Sequence, residues 1–276
     1  MTNNSVSLQE HPDVSDLKQC IAQTKEQIIE VLAAIDYTRF QQNPRIEAEY
    51  ALKIGCYENE LLKSEIAARR AKRKSALAQK ALNAGETIDE QAIEGELDRE
   101  LEEWYQKLLQ TINDYQRILD ERNNSRELNE RDSKELSHLY RRIVKRLHPD
   151  INPAVGEQEL RLFEAAQVAY GNGDLAAMRA IAVTAEGLGE AADVYPESED
   201  IVGILEAELS MQKATLEVLG SRLDTLKDEY PYTMLSKLCD REWVLGTVRK
   251  LKEQIERHRE VEQEYTRRLA ALLSRS

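Results

Sequence analysis

The sequence predicts an all-α protein in which a small helical module sits between two long antiparallel coiled-coil hairpins. Three observations carry that expectation. Charged residues make up 32% of the 276 positions and aromatics only 5%, with 11 glycines and 6 prolines; sheet-rich chains carry more turn formers and more aromatic bulk. Apolar residues recur at alternating steps of four and three along two extended stretches, as on a helix with one buried stripe. Between those stretches lies a segment with its own start and stop signals. No apolar run approaches the roughly 18 residues of a membrane span, and the polar, acidic start lacks the order of a secretory signal. Cys20, Cys56 and Cys239 are far apart and unpaired in spacing. A reducing, cytoplasmic setting is therefore expected, with no disulfide framework and no sequence-local metal site.

Residues 1–12 read as a disordered tail and residues 13–125 as the N-terminal coiled-coil region. A first helix is predicted over 14–40, with Leu17, Ile21, Ile28, Val31, Leu32 and Ile35 on its apolar side. Asn43-Pro44 should break it, because proline lacks a donor and restricts the residue before it. From Tyr50 the spacing runs unbroken through Ile54, Tyr57, Leu61, Ser64, Ala68, Ala71, Ser75, Ala78 and Leu82. The small residues in that seam permit close helix approach. Asn83-Ala84-Gly85 ends the helix, and Thr87 with Glu90 reads as a capping box opening a third. That helix carries Ile93, Leu97, Leu101, Trp104, Leu108, Tyr115 and Leu119. Residues 63–80 hold seven bases and one acid, and residues 86–103 hold nine acids and one base. Folding back at Gly85 should set the two runs side by side, with Arg70 near Asp98 and Lys74 near Glu94. An exposed ion pair contributes only about 0–1 kcal/mol, so the runs select register more than they add stability.

The module is expected over 132–186, followed by a linker at 187–198 and a C-terminal hairpin at 199–276. The first arm of that hairpin reads Leu205, Leu209, Gln212, Leu216, Leu219, Leu223, Leu226 and Tyr230. Tyr230-Pro231-Tyr232 turns the chain into a second arm with Leu245, Val248, Leu251, Ile255, Tyr265, Leu269 and Leu272. Pairing within one chain and pairing in a homodimer are both open. His258 sits on the second arm's seam as a polar register position.

Within the module, Asp132 is placed to cap a helix, with Glu135 three residues on. Leu136, Leu139, Tyr140, Ile143, Val144 and Leu147 form one apolar face, and Arg141, Arg142, Lys145 and Arg146 lie mostly opposite. Residues 134–150 carry +3 in a chain whose formal charge is −13. The helix must stop at His148-Pro149-Asp150. A polar loop leads to a second helix with Leu160, Phe163, Ala166, Ala169 and Tyr170 on one side. Gly171-Asn172-Gly173 closes that helix, and Asp174 is placed to cap the next.

This segment resembles the J-domain of the DnaJ co-chaperone family. The likeness rests on the basic amphipathic helix 139–147, on His148-Pro149-Asp150 with Asn152 close behind, on the distance from Asp150 to Phe163, and on the pair Ala169-Tyr170. A second His-Pro-Asp, at 11–13, has no basic amphipathic helix before it and is read as accidental. The resemblance implies docking on a DnaK-type heat-shock chaperone and stimulation of its ATPase, with no active site of this chain's own. By position, Tyr140, Arg141, Arg142, Lys145 and Arg146 would dock. His148, Pro149, Asp150 and Asn152 would form the signalling loop, with Phe163 assisting. A positive patch steers encounter with an acidic surface, which fits that role. The family's opening Tyr-x-x-Leu-Gly helix is missing, and the helix through Tyr115 and Leu119 is the expected substitute. Ile151 and Glu164 stand where the family often has bases, and a longer helix from Asp174 replaces its short fourth. No Gly/Phe-rich linker, zinc-binding cysteine repeat or β-sandwich follows. The likeness covers about 50 residues, and the coiled-coil arms are expected to hold a client protein or an assembly.

Two rival readings remain. One is a scaffold or adaptor whose J-like module no longer binds its partner. The other is a nucleic-acid-associated coiled coil using Arg69, Arg70, Lys72, Arg73 and Lys74; pairing of that run with the acidic third helix is the preferred account. The sequence holds no Gly-rich phosphate loop, nucleophile elbow or HExxH, so neither enzyme activity nor cofactor is expected.

Overall fold

The computed structural model describes residues 12–124, 128–188 and 201–274. The predicted tail, apart from Pro12, and nearly all of the predicted linker lie outside them. All elements among the described residues are helical, as expected. They are α1 (Pro12–Tyr37), α2 (Asn43–Tyr50), α3 (Cys56–Asn83), α4 (Glu90–Glu100), α5 (Glu102–Asn124), α6 (Glu130–Leu147), α7 (Glu157–Gly171), α8 (Leu175–Gly187), α9 (Ile201–Asp228), α10 (Leu235–Cys239) and α11 (Arg241–Leu273). Among the described residues no helix is long and apolar enough to cross a membrane.

The expected break at Asn43-Pro44 does not occur. A π-helical turn, Thr38–Gln42, carries α1 into α2, and another, Ala51–Gly55, carries α2 into α3. Asn43 stays helical (φ −61°, ψ −48°) and donates its N–H to the Thr38 carbonyl, five residues back. The widened turn places Pro44 in the first turn of α2, where a missing donor is tolerated. The start signals also shift. Asp89, rather than Thr87, caps α4 by accepting from the N–H groups of Gln91 (3.0 Å) and Ala92 (3.1 Å). Asn129, rather than Asp132, caps α6 by accepting from the Asp132 N–H at 2.9 Å.

The chain forms two compact units. One comprises the residues through Pro44 with Asn124–Thr233, and the other Arg45–Asn123 with Met234 onward. In the first, α1 pairs with α9. Val14, Ile21 and Leu205 bury one end of the pair, and Lys25 meets Glu208 at 3.2 Å. Towards the other end, Ile28, Ile29, Leu32 and Ile35 of α1 join Leu219 of α9 over a core built by α6, α7 and α8. All six apolar positions predicted for α6 are buried there. Helix α7 meets the first π-helical turn at Gly171, where a Cβ would make an ordinary 3.6 Å contact with the Phe40 Cβ, and the Gln41 amide donates to the Tyr170 carbonyl.

In the second unit α11 lies along α3. Ser64, Ala68, Ser75 and Ala78 are buried in the predicted seam. Leu77, Ala78, Ile93, Leu97 and Leu272 join α3, α4 and α11 in one core. The two charge runs meet as predicted. Arg70 binds Asp98 at 2.8 Å and also Glu94, Lys74 binds Glu94 at 2.6 Å and Glu90 at 3.2 Å, and Arg73 binds Glu100 at 2.6 Å and Glu96 at 3.2 Å. Hydrogen bonds from Lys74 and Arg70 hold the Glu94 carboxyl below its usual range. Gly85, at φ +74°, allows the reversal after α3.

The C-terminal hairpin is corrected. Its arms belong to different units, with the stripe of α9 laid on α1 and that of α11 on α3. A four-three stripe specifies a helical partner without naming it.

Candidate docking site

The loop after α6 is shaped by its own backbone. His148 is the last residue to close an α-helical bond, donating to the Val144 carbonyl at 3.0 Å, and is extended (φ −74°, ψ 127°) as the following proline demands. The His148 carbonyl accepts from the N–H groups of Ile151 (3.0 Å) and Asn152 (2.9 Å). The Asn152 amide turns back and donates to the Lys145 (2.9 Å) and Arg146 (2.7 Å) carbonyls. Those carbonyls end a helix and have no intrahelical donor, so Asn152 satisfies them and pins the loop. Pro149 and Asp150 are left exposed at the tip.

His148 points the other way. Its side chain is 12% exposed, and its ring meets that of Phe163 edge-on at 5.1 Å. Nδ1 accepts from the Asp150 N–H at 3.1 Å, which places the ring proton on Nε2. Burial lowers the imidazole pKa; Asp150 and Asp36 oppose that shift, and Arg222 adds to it. The aromatic contacts continue inward. Tyr140 stacks on Tyr170 at 4.1 Å and lies 6.4 Å from Phe163. The fully buried Tyr140 hydroxyl donates to Asp36 Oδ2 at 2.6 Å. Burial first, and then the Asp36 carboxylate, raise the Tyr140 pKa far above the ordinary phenol value.

The predicted docking set therefore divides. Pro149 and Asp150 are presented at the loop tip, Arg141, Arg142 and Lys145 are exposed on α6, and Arg146 is half-buried. Tyr140 and Phe163, at 0% and 4% exposure, are corrections: both are core residues with no surface to offer a partner. Asn152 acts on the loop rather than at its tip. Some of the cations are already engaged. Arg142 pairs with Glu186, Arg146 donates to the Ala185 carbonyl at 3.0 Å, and Lys145 lies 3.9 Å from Glu26. The outer part of α8 thus lies along the row Arg142–Arg146, a consequence of the longer helix that follows Asp174.

Sequence reasoning missed Asp36, Glu186 and Arg222. Asp36 follows directly on Ile35 in the apolar stripe of α1, and a carboxylate at such a position was its one available signal. The expected substitute for the missing opening helix is also corrected. Tyr115 belongs to the second unit and packs over Gly55, while α1 lies against α6. The described residues hold no group of three or more His, Cys, Asp or Glu arranged for a metal ion. A scan against protein-family models, a search of curated proteins and a search of solved structures each return no match.

Proposed function

We propose that this protein is a J-domain-type co-chaperone. In this reading α6 and the loop His148-Pro149-Asp150 dock on a DnaK-type heat-shock ATPase and stimulate its ATP hydrolysis. The helix pairs outside the module hold a client protein or an assembly, and the chain has no catalytic centre of its own. The observation that carries the reading is the loop tip. Asn152 fixes the backbone from behind while Asp150 is left exposed at the tip of the loop that ends α6. A group with so little packing has small structural value, which leaves recognition as its use. The basic residues 70, 73 and 74 are paired with acids of α4, which weighs against the nucleic-acid alternative. The scaffold alternative draws on the engagement of Arg142 and Arg146 by α8.

The test is steady-state ATP hydrolysis by a DnaK-type chaperone with and without this protein. Stimulation should be lost in Asp150→Asn at unchanged helicity and melting temperature, and kept in Asp13→Asn. Absence of stimulation by the wild-type chain would leave the scaffold reading in its place.

A further inference from the structure

Helix α9 bears two seams. One is the row from Leu205 to Leu226 that faces α1 and the module core. On the far side of the same helix runs a second row, Ile204, Ala207, Met211, Ala214, Val218, Ser221 and Thr225, at strict steps of three and four. Every one of these side chains is exposed. Ile204, Met211 and Val218 are 39%, 65% and 67% accessible. No charge interrupts the row, in a chain whose residues are 32% charged. A solvent-facing helix surface normally carries charges at such positions. A heptad-spaced apolar row with small residues between larger ones is the surface a second helix packs on.

We propose that this row docks a second copy of the chain, with the two α9 helices antiparallel. The charges bordering the row select that occupant. Glu208 and Arg222 flank the row on the same side, each seven residues from Thr215. An inverted copy therefore sets Glu208 against the partner's Arg222, and the symmetry repeats the pair. On the row's other side one Glu217 meets the partner's Glu217, so two attractions stand against one repulsion. Glu208 Oε1 holds Lys25 and Gln212 while 22% of the Glu208 side chain stays exposed. A parallel copy gains Glu217 beside the partner's Arg222, but also sets Asp224 beside the partner's Glu229 and so cancels the gain. Inversion also sets Val218 beside the partner's Ala214 and Met211 beside the partner's Ser221, so that each larger side chain meets a small one.

Sedimentation and single-cysteine cross-linking test this. The wild-type chain should sediment as a dimer at micromolar concentration. Met211→Glu or Val218→Glu should raise the dissociation constant by roughly a hundredfold or more, because the interface would then bury unpaired charge. Their helicity should stay unchanged, since both positions face solvent in the single chain. With Cys20, Cys56 and Cys239 replaced by serine, Thr215→Cys should couple two chains through a short bismaleimide. Ile204→Cys should not, because inverted copies hold those positions about 33 Å apart at 1.5 Å per residue. A monomeric wild-type chain overturns the proposal, as does a dimer that survives Met211→Glu. Coupling through Ile204→Cys as efficient as through Thr215→Cys overturns the antiparallel arrangement. A monomer in which residues 189–200 cross-link to Met211→Cys would assign the row to this chain's own segment instead.

Discussion

Replacing Tyr140 with phenylalanine removes one oxygen and leaves the ring stack on Tyr170 and Phe163 in place. The lost bond is short, 2.6 Å, and its donor and acceptor residues are 0% and 6% exposed. Because the ring remains, no cavity opens, and the loss is that of a buried hydrogen bond to a carboxylate, about 1.5–3 kcal/mol. The upper part of that range is expected, since the Asp36 oxygen is left without its donor and out of reach of bulk water. Urea unfolding followed by circular dichroism at neutral pH measures it directly. A second signature appears at alkaline pH. The folded state holds the Tyr140 proton above the unfolded value near 10, so between the two pKa values it binds one proton more than the unfolded state. Stability from this group is therefore full below about pH 10 and is lost as pH rises, by about 1.4 kcal/mol per pH unit. Burial raises Tyr170 as well, so the variant should keep that part of the alkaline decline and lose the part due to Tyr140. A Tyr140→Phe protein as stable as wild type at pH 7, with the same alkaline slope, would refute the assignment of this bond as a structural anchor.

Three further outcomes concern the loop and its surroundings. Asn152→Ala removes both bonds to the end of α6 and should destabilise the first unit by about 1–2 kcal/mol, with faster amide exchange at His148 and Ile151. Glu186→Ala releases Arg142; both side chains are about half exposed, so stability should change by less than about 1 kcal/mol. If α6 is the docking face, association with the DnaK-type chaperone should become faster. The folded pKa of His148 lies below its unfolded value near 6.5, so its contribution is complete above that pH and falls away as the solution is acidified through it. His148→Phe should flatten the stability profile just below pH 6.5.

The parts of the fold legible in the sequence are those written within about thirty residues. The apolar face of α6 was readable because 3.6-residue periodicity is local, and every predicted position on it is buried. The pairing of Arg70 with Asp98 was readable because a single turn at Gly85 joins the two runs. Partner choice was not. Leu205 and Leu219 advertise a helix, yet nothing near them distinguishes α1 from α11. The same limit hid the Tyr140–Asp36 bond, which spans 104 positions, and the pairing of Arg142 with Glu186. Pro44 misled for another reason: a widened turn supplies what proline lacks, and no residue of that turn announces it.

The interleaving of the two units has a consequence for synthesis. The small-residue seam of α3 leaves the ribosome early, but α11, which covers it, begins about 160 residues after α3 ends. At roughly 5–20 residues per second the seam waits some ten to thirty seconds for its cover. Helix α4 follows α3 almost at once, and its acids close on Arg70, Arg73 and Lys74 across one turn. Loop closure over so short a span is fast, whereas closure by α11 must gather a long chain first. The charged ladder, which contributes little to final stability, thereby gives the nascent seam a partner from its own neighbourhood and keeps α3 occupied until its distant companion arrives.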